Sequence, residues 1–435
     1  MKKSQNVSMQ GRPVYVVDGS RTPYLKSSKP SRAFKAAELA IKAGQPLLAR
    51  QPFAVDAFDE VIVGCVMPYV DEANIARIIA LRLGCGIHMP AWTVQRNCGS
   101  GMQALDCAAR TIATGRADLI LAGGVESMSY APVQFSPEMA SWLSDFSRAR
   151  TVMSKLRSIA GFRPAYLKPV IGLICGLTDP VVGLSMGSTA EILAAKFNIS
   201  REDMDAYSVR SHQRLAAAHA AGRLSEIETI YDNHGHVHDH DQGVRRDSSM
   251  QSLAKLKPVF EKPFGLVTAG NSSQITDGAA WLILASEDAV NQYQLDVIGR
   301  IVDCSWAAND PSEMGLGPVH ASALLLQRHQ LSLNDIDYWE LNEAFAAQVL
   351  ACCRAFADHD YCTQNLGLDN ALGEIDPERL NVDGGAISIG HPVGSSGARI
   401  VLHLLQVLRQ REASTGIASQ CIGGGQGGAM LLARS

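Results

Sequence analysis

Short apolar runs alternate with amphipathic stretches over the first 130 residues of the chain. Runs of consecutive apolar residues predict buried strands, and apolar residues that recur every three or four positions predict helices. In residues 99–114, for example, Met102, Leu105, Ala109 and Ile112 fall on one helical face. The predicted strands are 14–18, 61–66, 91–96 and 118–124, and the predicted helices are 31–50, 73–83 and 99–114. Strands and helices that alternate through short connections predict an α/β fold with a mostly parallel sheet.

The same alternation returns between residue 291 and residue 435. The predicted strands there are 336–341, 416–421 and 429–433, and the predicted helices are 319–329, 344–356 and 394–410. Each half carries a pair of glycines after a late strand, and a reactive residue, Cys98 or His391, in a glycine-rich turn that opens a helix. We interpret the chain as two related α/β halves, 1–130 with 255–290 and 291–435, and a segment of different texture at 131–254.

The composition of the 435 residues is that of a globular protein with large cores. Apolar residues make up 46% and charged residues 19%, which excludes a disordered or coiled-coil chain. The formal net charge of −4 lacks the basic field that a nucleic-acid-binding protein needs. Because the first eleven residues are polar and no run of 18 apolar residues is present, we expect a cytoplasmic protein. The ten cysteines are then reduced thiols, and none forms a C-x-x-C pair.

One cysteine lies where a predicted strand ends and a helix begins. Residues 96–101 read RNCGSG and place Cys98 at the positive end of the backbone dipole of the predicted helix. That position lowers the pKa of a thiol and favours the nucleophilic thiolate. Gly99 and Gly101 let a bulky substrate approach the backbone closely. Cys98 is therefore a candidate nucleophile, and the alternative is a buried structural thiol.

Two further reactive side chains lie in glycine-rich sequences of the last half. His391 stands in GGAISIGHPVGSSG (384–397), where it could accept a thiol proton or donate to an oxyanion; the alternative is a histidine that caps a helix. Cys421 lies in SQCIGGGQGG, at the end of the last long strand. The glycines in 423–428 formally match G-x-G-x-x-G, but too little chain follows for a dinucleotide-binding fold. We expect them to present backbone N–H groups to a reacting carbonyl.

Polar residues also interrupt a predicted junction between a strand and a helix. Residues 341–348 read LNEAFAAQ and place Asn342 and Glu343 where polar side chains need partners. Asn342 could hold a water molecule against an oxyanion, and the alternative is that it caps the helix.

These four pieces occur in an order that resembles the thiolase family, the acetyl-CoA acyltransferases. NCGSG, NEAFA, GHP-x-G and C-x-G-G-G-x-G appear in turn, and the resemblance covers nearly the whole chain. Further matching motifs are GGVESMS (123–129), MGSTAE (186–191), LKPVF (256–260), TAGNSSQITDGAA (268–280) and MGLGP (314–318). The resemblance implies two α/β halves packed as a five-layer αβαβα sandwich, with a loop domain at 131–254 that binds coenzyme A.

The resemblance also implies a role for each candidate residue. Cys98 would be the acylated nucleophile, His391 the group that activates it, and Cys421 an acid and base with a pKa near neutrality. His391 and a water held by Asn342 would stabilise an enolate, and the backbone N–H groups of Cys98 and Gly423 an acyl oxyanion. Contacts with coenzyme A are expected at Arg245, Ser252, Ser273, Met186 and Met314.

The implied activity is the reversible Claisen condensation of acyl-CoA, or thiolytic cleavage of 3-ketoacyl-CoA, in fatty-acid β-oxidation or acetoacetyl-CoA synthesis. No metal and no cofactor besides the coenzyme A substrates is expected. The resemblance further implies a homodimer or homotetramer. Neither the preferred acyl chain length nor the direction of the reaction follows from the sequence.

Two features differ from the short biosynthetic thiolases and resemble the thiolase subunit of the trifunctional fatty-acid complexes. Ser185 stands where many biosynthetic members have a histidine, and residues 146–178 form a long insertion without acids. Apolar residues alternate in it with six basic ones, Arg148, Arg150, Lys155, Arg157, Arg163 and Lys168. We hypothesise that 148–168 docks a hydratase/dehydrogenase subunit or a membrane surface; the alternative is a solvated helix that covers a core.

Other interpretations of the sequence compete with this one. A decarboxylating ketosynthase of the same fold would use one cysteine with two histidines, or with histidine and asparagine, and Cys421 together with NEAFA argues against it. A cysteine redox enzyme would need a C-x-x-C pair, and a non-catalytic scaffold subunit would not need all four reactive residue types. The histidines at 234, 236, 238 and 240 could bind a metal on one face of a strand, or form a solvated hairpin.

Overall fold

The computed structural model describes residues 9, 11–29, 34–232 and 234–434. The strands are β1 (Val14–Arg21), β2 (Leu25–Lys26), β3 (Glu60–Gly64), β4 (Ala91–Val94), β5 (Leu119–Ser127), β6 (Val133–Gln134), β7 (Val170–Ile171), β8 (Ile230–Tyr231), β9 (Val237–His238), β10 (Thr276–Ala285), β11 (Gly299–Ala308), β12 (Tyr338–Leu341), β13 (Thr415–Ile422) and β14 (Gln426–Ala433). The helices are α1 (Ala36–Ala49), α2 (Ile75–Arg82), α3 (Ser100–Ala113), α4 (Pro137–Arg148), α5 (Val152–Ala160), α6 (Gly172–Gly176), α7 (Met186–Lys196), α8 (Arg201–Ala220), α9 (Met250–Leu253), α10 (Glu287–Tyr293), α11 (Gly317–His329), α12 (Ala346–Ala357), α13 (His359–Tyr361), α14 (Ala386–Ile389) and α15 (Val393–Gln410). The predicted alternation is confirmed, although residues 31–33 of the first predicted helix lie outside the described residues.

Within the described residues, ten strands form one mixed sheet in the order β12–β13–β14–β11–β1–β10–β5–β3–β4, with β2 paired to β10. Strand β3 pairs in parallel with β4 and β5, and β12 with β13, whereas the strands from β13 to β5 pair antiparallel. The prediction of a mostly parallel sheet is therefore wrong. Strands β13 and β14 are joined by a tight turn in which Gly424 and Gly425 have φ of 92° and 72°, and such a turn joins antiparallel strands. Strand β10 returns to the sheet after the whole of 131–254, not through a βαβ crossover.

Strand β1 is where the two halves of the sheet meet. Tyr15 pairs with Ala285 of β10 on one side and with Arg300 of β11 on the other. The apolar residues Val14 and Val16 are buried in the central core. The first strand of the chain thus lies at the middle of the molecule.

Helices α3 and α15 form the middle of five layers. Helices α1 and α2 cover the outer face of the strands from β1 to β4, and their apolar side chains form one core with those strands. Helix α11 covers the outer face of β11, β13 and β14, with α12 beside it. Between the two halves, α3 and α15 share a third core with strands of both. This arrangement confirms the predicted five-layer αβαβα sandwich of two α/β halves.

The two central helices approach closely at their N-terminal turns. A Cβ atom added to Gly101 of α3 would lie 2.8 Å from a backbone oxygen of α15, and one added to Gly397 of α15 would lie 2.5 Å from a backbone nitrogen of α3. Only glycine fits at such distances. Cys98 lies two residues before α3 and His391 two residues before α15, so this crossing brings the two reactive turns together.

The segment 131–254 carries a helical hairpin outside the layers. Strands β6 and β7 form a two-stranded ribbon, and α4 and α5 lie between them in the chain. The Trp142 indole of α4 donates to the Ser158 carbonyl oxygen of α5 (2.8 Å) and stacks on Phe146. Four apolar side chains of α5 are exposed, Val152 (77%), Met153 (71%), Leu156 (55%) and Ile159 (55%). The alternative of a helix that covers a core does not hold for α5, because its apolar side chains face solvent.

The alternating histidines lie in and beside the hairpin of β8 and β9. The ring of His236 bonds to Asp232 (2.7 Å), and His240 bonds to Asp239 (2.6 Å). Within the described ranges, no group of three or more His, Cys, Asp or Glu side chains is placed to hold a metal ion. Among the helices in the part of the chain that the structure describes, none is both long and apolar enough to cross a membrane.

Candidate active site

Cys98 lies in a tight turn between β4 and α3. Asn97 adopts a left-handed conformation (φ 43°), and the Ser100 hydroxyl donates to its carbonyl oxygen (2.7 Å) while accepting from the Arg96 N–H (2.9 Å). The Asn97 side-chain amide donates to the carbonyl oxygen of Gly423 in the β13–β14 turn (2.9 Å). The reactive turn of one half is thus tied to a glycine turn of the other half.

Burial raises the pKa of the Cys98 thiol above its ordinary value, and backbone hydrogen bonds from Gly423 and from Cys98 itself oppose that shift. The buried Glu126 adds a smaller increase. The expectation of a thiolate at the helix terminus is therefore wrong for the resting site, because loss of solvent outweighs the backbone N–H groups. Cys98 is a neutral thiol, and a neutral thiol needs a base in order to act as a nucleophile.

His391 has one ring nitrogen engaged and one free. Its Nδ1 lies 2.7 Å from the Ser396 hydroxyl oxygen, and Ser396 donates to the Pro392 carbonyl oxygen (3.2 Å), so Nδ1 carries the proton. Nε2 is buried and has no hydrogen-bond partner among the described residues. Burial, with a smaller effect of the Arg399 charge, lowers the pKa of His391 to about 4. The ring is a neutral base at physiological pH, and Pro392, not His391, is the capping residue of α15.

Cys421 and Asn342 lie at the carboxyl ends of neighbouring parallel strands. Strand β12 ends one residue before Asn342, and β13 ends one residue after Cys421. The Asn342 N–H donates to the Ser419 carbonyl oxygen (2.9 Å), but neither atom of its buried side-chain amide has a partner within the described part of the chain. Asn342 does not cap α12, which begins four residues later. A buried, unpaired amide is available to a ligand or a water molecule.

Burial raises the pKa of Cys421 well above its ordinary value, and the neighbouring Cys98 sulfur adds to the shift. The expected pKa near neutrality is wrong for the resting site, because the side chain is only 1% exposed and solvent cannot stabilise a thiolate there. Both sulfur atoms and the His391 ring are therefore neutral before substrate binds.

The buried Glu343 side chain fixes the backbone segment that precedes His391. Glu343 accepts from the Tyr207 hydroxyl (2.9 Å), the Ser211 hydroxyl (2.7 Å) and the Ile387 N–H (3.2 Å). These bonds give the buried Glu343 side chain its hydrogen-bond partners and fix the backbone four residues before His391.

A second buried carboxylate joins the two halves beside the reactive turns. Glu126, at the end of β5, accepts from the backbone N–H groups of Val66 (3.0 Å), Met67 (3.1 Å) and Gly394 (3.0 Å). Burial raises the pKa of Glu126 to about 7. Its bond to Gly394 anchors the first turn of α15, next to His391.

Two cavities with shared walls lie beside His391 and Cys98. The larger, about 310 Å³, is lined by His391 and Ser273, and the smaller, about 70 Å³, by Cys98 and Gly423. The walls that both cavities share are Met128, Leu177, Met186 and Val393. These two adjoining cavities, one lined by His391 and the other by Cys98, have largely apolar walls and are together called the slot.

The residues expected to contact coenzyme A fall into two groups. Met186 lines both cavities and Ser273 lines the larger one. Arg245 and Ser252 are exposed, and the Ser252 hydroxyl donates within the cap of α9 (2.8 Å). Met314 lines neither cavity, because it is buried in the outer core of the C-terminal half. The structure does not bring Met314 to the slot.

The sequence analysis missed two residues that support the site. Ser396 orients the His391 ring, and its signal is a hydroxyl in the first turn of the helix that follows the histidine. Glu126 lies in GGVESMS, where a lone carboxylate ends an otherwise apolar strand. An isolated acid in such a run needs buried partners, which could have marked it.

The chain matches two family models in turn. Residues 14–288 match the model described as "Thiolase, N-terminal domain", and residues 295–434 match "Thiolase, C-terminal domain".

Individual relatives match over nearly their full length. A 3-ketoacyl-CoA thiolase of Yersinia pestis (strain Pestoides F) is 36% identical over 429 residues, which are 98% of each chain. The crystal structure of human mitochondrial 3-ketoacyl-CoA thiolase in complex with CoA has a TM-score of 0.83 at 37% identity and 98% coverage of both chains. The Bacillus anthracis acetyl-CoA acetyltransferase has a TM-score of 0.84 at 34% identity, covering 98% of this chain and 100% of its own.

Proposed function

The chain belongs to the thiolase family, and we propose that it is an acetyl-CoA C-acyltransferase that cleaves 3-ketoacyl-CoA with coenzyme A. In the reverse direction the same reaction is the Claisen condensation of two acyl-CoA molecules. The observation that carries the proposal is the slot lined by His391 and Cys98, together with two unpaired groups that are buried, the His391 Nε2 atom and the Asn342 side-chain amide. Buried polar atoms without partners fit a site that is completed by its substrate.

The first half of the reaction forms an acyl-enzyme on Cys98. His391 Nε2 takes the proton of the neutral thiol as sulfur attacks the 3-keto carbon, and the backbone N–H groups of Cys98 and Gly423 stabilise the oxyanion. The bond between carbons 2 and 3 then breaks and leaves an acyl thioester on Cys98 and the enolate of acetyl-CoA. The enolate oxygen accepts from a water held by the Asn342 amide, and Cys421 donates its proton to carbon 2.

The second half regenerates both thiols. Coenzyme A gives its thiol proton to the Cys421 thiolate, and its sulfur attacks the acyl group on Cys98. The leaving Cys98 thiolate takes back the proton from His391. Because burial and the neighbouring Cys98 sulfur raise the pKa of Cys421, this side chain enters the reaction as a protonated thiol that can donate its proton to carbon 2.

The larger cavity is the proposed path of the pantetheine arm. Ser273 and Met186 line it, and the human relative was solved with CoA bound, which supports coenzyme A as the ligand of this chain. We assign 131–254 as the loop domain that binds coenzyme A, with Arg245 and Ser252 toward the nucleotide end. Residues 1–130 with 255–290 and residues 291–435 are the two thiolase halves.

The test is thiolysis of acetoacetyl-CoA, followed by the loss of the 3-keto thioester. We expect Cys98→Ala to lower the rate by at least about 10³-fold, since no nucleophile remains. Cys107→Ala, on the same helix α3, is the matched control and should keep the activity. Intact-mass spectrometry should show an acyl adduct on the native protein and none on Cys98→Ala.

Activity retained by Cys98→Ala, or an adduct on another residue, would exclude Cys98 as the nucleophile. A decarboxylating ketosynthase would instead turn over a malonyl thioester, and a scaffold subunit would act on neither substrate. The thiolase relatives favour neither of these two alternatives.

We further propose that this chain is a thiolase of the trifunctional type, which docks on an anionic lipid surface through α4 and α5. The exposed apolar residues of α5 recur on one helical face, and Lys155 and Arg157 flank them with positive charge. Such a helix lies in the interface of anionic membranes. Binding to phosphatidylglycerol vesicles, but not to neutral ones, is expected. Association with a hydratase/dehydrogenase subunit in place of vesicles would contradict the lipid surface.

A homodimer is proposed through the edge strand β4, with a tetramer as a pair of dimers. Within the described residues β4 pairs only with β3, so one edge of the strand is open, and Leu81, Ile87 and Trp92 are exposed on or near it. An open apolar edge is a surface on which a second copy of the chain can add. Light scattering should report a dimer or larger, and Ile87→Lys should shift it toward monomer.

The cytoplasmic location that the sequence predicts for the protein stays a proposal. All ten cysteines are free thiols, and Cys98 must be reduced to act. A reducing compartment satisfies both conditions.

A further inference from the structure

Gly423 is held on both sides by two consecutive residues of the other half. Its backbone N–H donates to the Cys98 sulfur, and its carbonyl oxygen accepts from the Asn97 side-chain amide (2.9 Å). A Cβ atom added to Gly423 would lie 3.7 Å from that amide nitrogen. The direction of the Gly423 N–H relative to the Cys98 sulfur therefore depends on the Asn97 side chain as well as on the sheet.

The β13–β14 turn has little rigidity of its own. Residues 423–425 are three glycines, and glycine has more backbone freedom than any other residue. Among the described residues, a Cβ atom added to Gly424 would meet only the Gln426 side chain, at 4.0 Å, so the tip of the turn lies open. The Asn309 N–H holds the far end of the turn through the Gly425 carbonyl oxygen (2.8 Å). The near end, beside the nucleophile, depends on the side-chain amide of the other half.

Asn97 can hold the turn because its own conformation is fixed. Its φ of 43° is left-handed, a conformation that asparagine tolerates better than most side chains. Its carbonyl oxygen accepts from the hydroxyl (2.7 Å) and the N–H (3.1 Å) of Ser100, at the start of α3. Its Oδ1 accepts from the Gln95 side-chain amide (3.3 Å), and its Nδ2 is directed at the Gly423 carbonyl oxygen. The backbone and the amide of Asn97 are thus both oriented before substrate binds.

We propose that Asn97 is a positioning residue, which holds the Gly423 N–H where it and the Cys98 N–H both donate to the oxyanion of the acyl group. The proposal rests on the thiolase function given above and adds one residue to its machinery. The acyl oxygen is two bonds away from the Cys98 sulfur, so the N–H that donates to the sulfur in the resting site lies close to that oxygen. Asn97 acts through Gly423 and not on the reacting atoms.

The oxyanion forms only during the two acyl-transfer steps, so a misplaced donor lowers the rate and leaves substrate binding intact. Both the attack of Cys98 on the 3-keto carbon and the attack of coenzyme A on the acyl group pass through it. Alkylation of Cys98 by iodoacetamide forms no oxyanion, because the sulfur displaces iodide from a saturated carbon. Loss of the Asn97 amide should therefore lower kcat and spare both KM and alkylation.

The first variant is Asn97→Gly, which removes the amide and places at a φ of 43° the residue best suited to it. Removal of a whole oxyanion donor costs roughly 10²–10³-fold, so a displaced donor should lower kcat for thiolysis of acetoacetyl-CoA about ten- to a hundredfold. KM for acetoacetyl-CoA and the rate of Cys98 alkylation should change less than about threefold.

The matched control is Asn198→Gly, at a second left-handed asparagine (φ 51°). Asn198 is exposed just after α7 and lines neither cavity of the slot, so its variant should keep the native kcat. A second variant, Asn97→Asp, keeps the shape of the side chain, but an ionised carboxylate cannot donate to the Gly423 carbonyl oxygen. Its kcat should fall at least as far as that of Asn97→Gly, because the two oxygen atoms repel each other.

Failure of the positioning role and failure of the thiolase function give different results. An active native protein with an unchanged kcat in Asn97→Gly overturns the positioning role and leaves the thiolase function in place. Equal losses of kcat and of alkylation rate overturn it too, because the substitution would then have disturbed the nucleophile itself. If Asn97→Gly does not fold, an unchanged kcat in Asn97→Asp overturns the role equally. If the native protein cleaves no 3-ketoacyl-CoA, the proposed function fails, and the positioning role fails with it.

Discussion

Helices α15 and α5 reverse the usual distribution of polar and apolar residues. Every residue of α15 from Val393 to Leu408 is buried, polar ones included. Every residue of α5 is exposed or partly exposed, apolar ones included. One helix therefore buries polar groups, and the other leaves apolar groups in solvent.

The partners of the polar residues explain the buried helix. The Ser395 hydroxyl bonds to Tyr24 (2.7 Å), Arg399 Nη1 donates to Glu340 (2.7 Å), and the His403 ring bonds to Glu226 (3.0 Å). Tyr24 lies in the first half of the chain, Glu226 in the segment 131–254 and Glu340 in the last half, so α15 joins both halves and the segment between them. These three polar side chains of α15 have partners within the chain, whereas the apolar side chains of α5 face solvent.

The largest expected effect comes from breaking a buried pair of α15. Arg399→Met leaves Glu340 as a buried carboxylate and should lower the free energy of unfolding in urea by about 3–5 kcal/mol. The double variant Arg399→Met/Glu340→Leu should recover most of that loss. On the exposed helix, Arg157→Met should change stability by less than about 0.5 kcal/mol. Equal losses at the two positions would contradict the difference between the helices.

The same substitution in both regions sharpens the comparison through packing alone. Gly397→Val drives a side chain into the backbone of α3 and should cost about 2–3 kcal/mol of unfolding free energy. Gly161→Val meets ordinary contacts at 3.5 Å and should cost less than about 1 kcal/mol. Urea unfolding of both variants measures the difference. A smaller loss for Gly397→Val than for Gly161→Val would mean that α3 and α15 do not cross closely.

The first turn of α15, which follows His391, is tested by substituting its two neighbouring serines, Ser395 and Ser396, one at a time. Ser396→Ala removes the acceptor that holds the His391 ring and should lower kcat of thiolysis about tenfold, or about 1.4 kcal/mol. Ser395→Ala, whose hydroxyl bonds to Tyr24 instead, is the matched control and should lower kcat by less than about threefold. A larger loss of kcat in Ser395→Ala than in Ser396→Ala would contradict the role of Ser396 in orienting the His391 ring.

The buried histidine also predicts a pH profile. Burial lowers the pKa of His391 to about 4, so the base form persists at pH 5 and protonation removes activity only as pH falls through 4. The rate kcat/KM should differ less than about twofold between pH 5 and pH 7 on account of this group. The free energy of unfolding should also fall as the pH falls from 6.5 to about 4. In that range the unfolded His391 ring binds a proton and the native ring does not. An inflection of the rate near pH 6.5 would show that His391 is solvated.

The smallest effect on the fold is expected from the apolar face of α5. Leu156→Gln with Ile159→Gln should change the free energy of unfolding by less than about 0.5 kcal/mol, because both side chains are already exposed. Binding to anionic vesicles should fall in the same variant. A clear loss of stability would mean that α5 covers a core after all.

Local patterns in the sequence were enough to place the reactive residues on their elements. The periodicity of α3 and the RNCGSG turn located Cys98, and the glycine-rich run before α15 located His391. Their protonation states could not be predicted, because burial depends on residues from distant parts of the chain. For Cys98, the helix terminus alone suggested a thiolate, but packing against the other half and Glu126 makes it a neutral thiol.

Sheet direction and surface contacts were also beyond the sequence pattern. A buried strand such as β10 has the same apolar composition whether its neighbours run parallel or antiparallel, so its pairing with β1 and β5 could not be predicted. The basic and apolar residues of α5 indicated an amphipathic helix, but the pattern is the same for a helix that covers a core. Only the positions of the surrounding elements decide that α5 faces solvent.

The place of β1 has a consequence for how the chain is made on the ribosome. Its sheet partners, β10 and β11, begin at Thr276 and Gly299, so neither exists when β1 leaves the exit tunnel. At about 5–20 residues per second, the nascent strand waits roughly 13–50 seconds for β10 to be synthesised. Throughout that interval, the exposed apolar segment around Val14 and Val16 must be protected from aggregation with other nascent chains on the polysome.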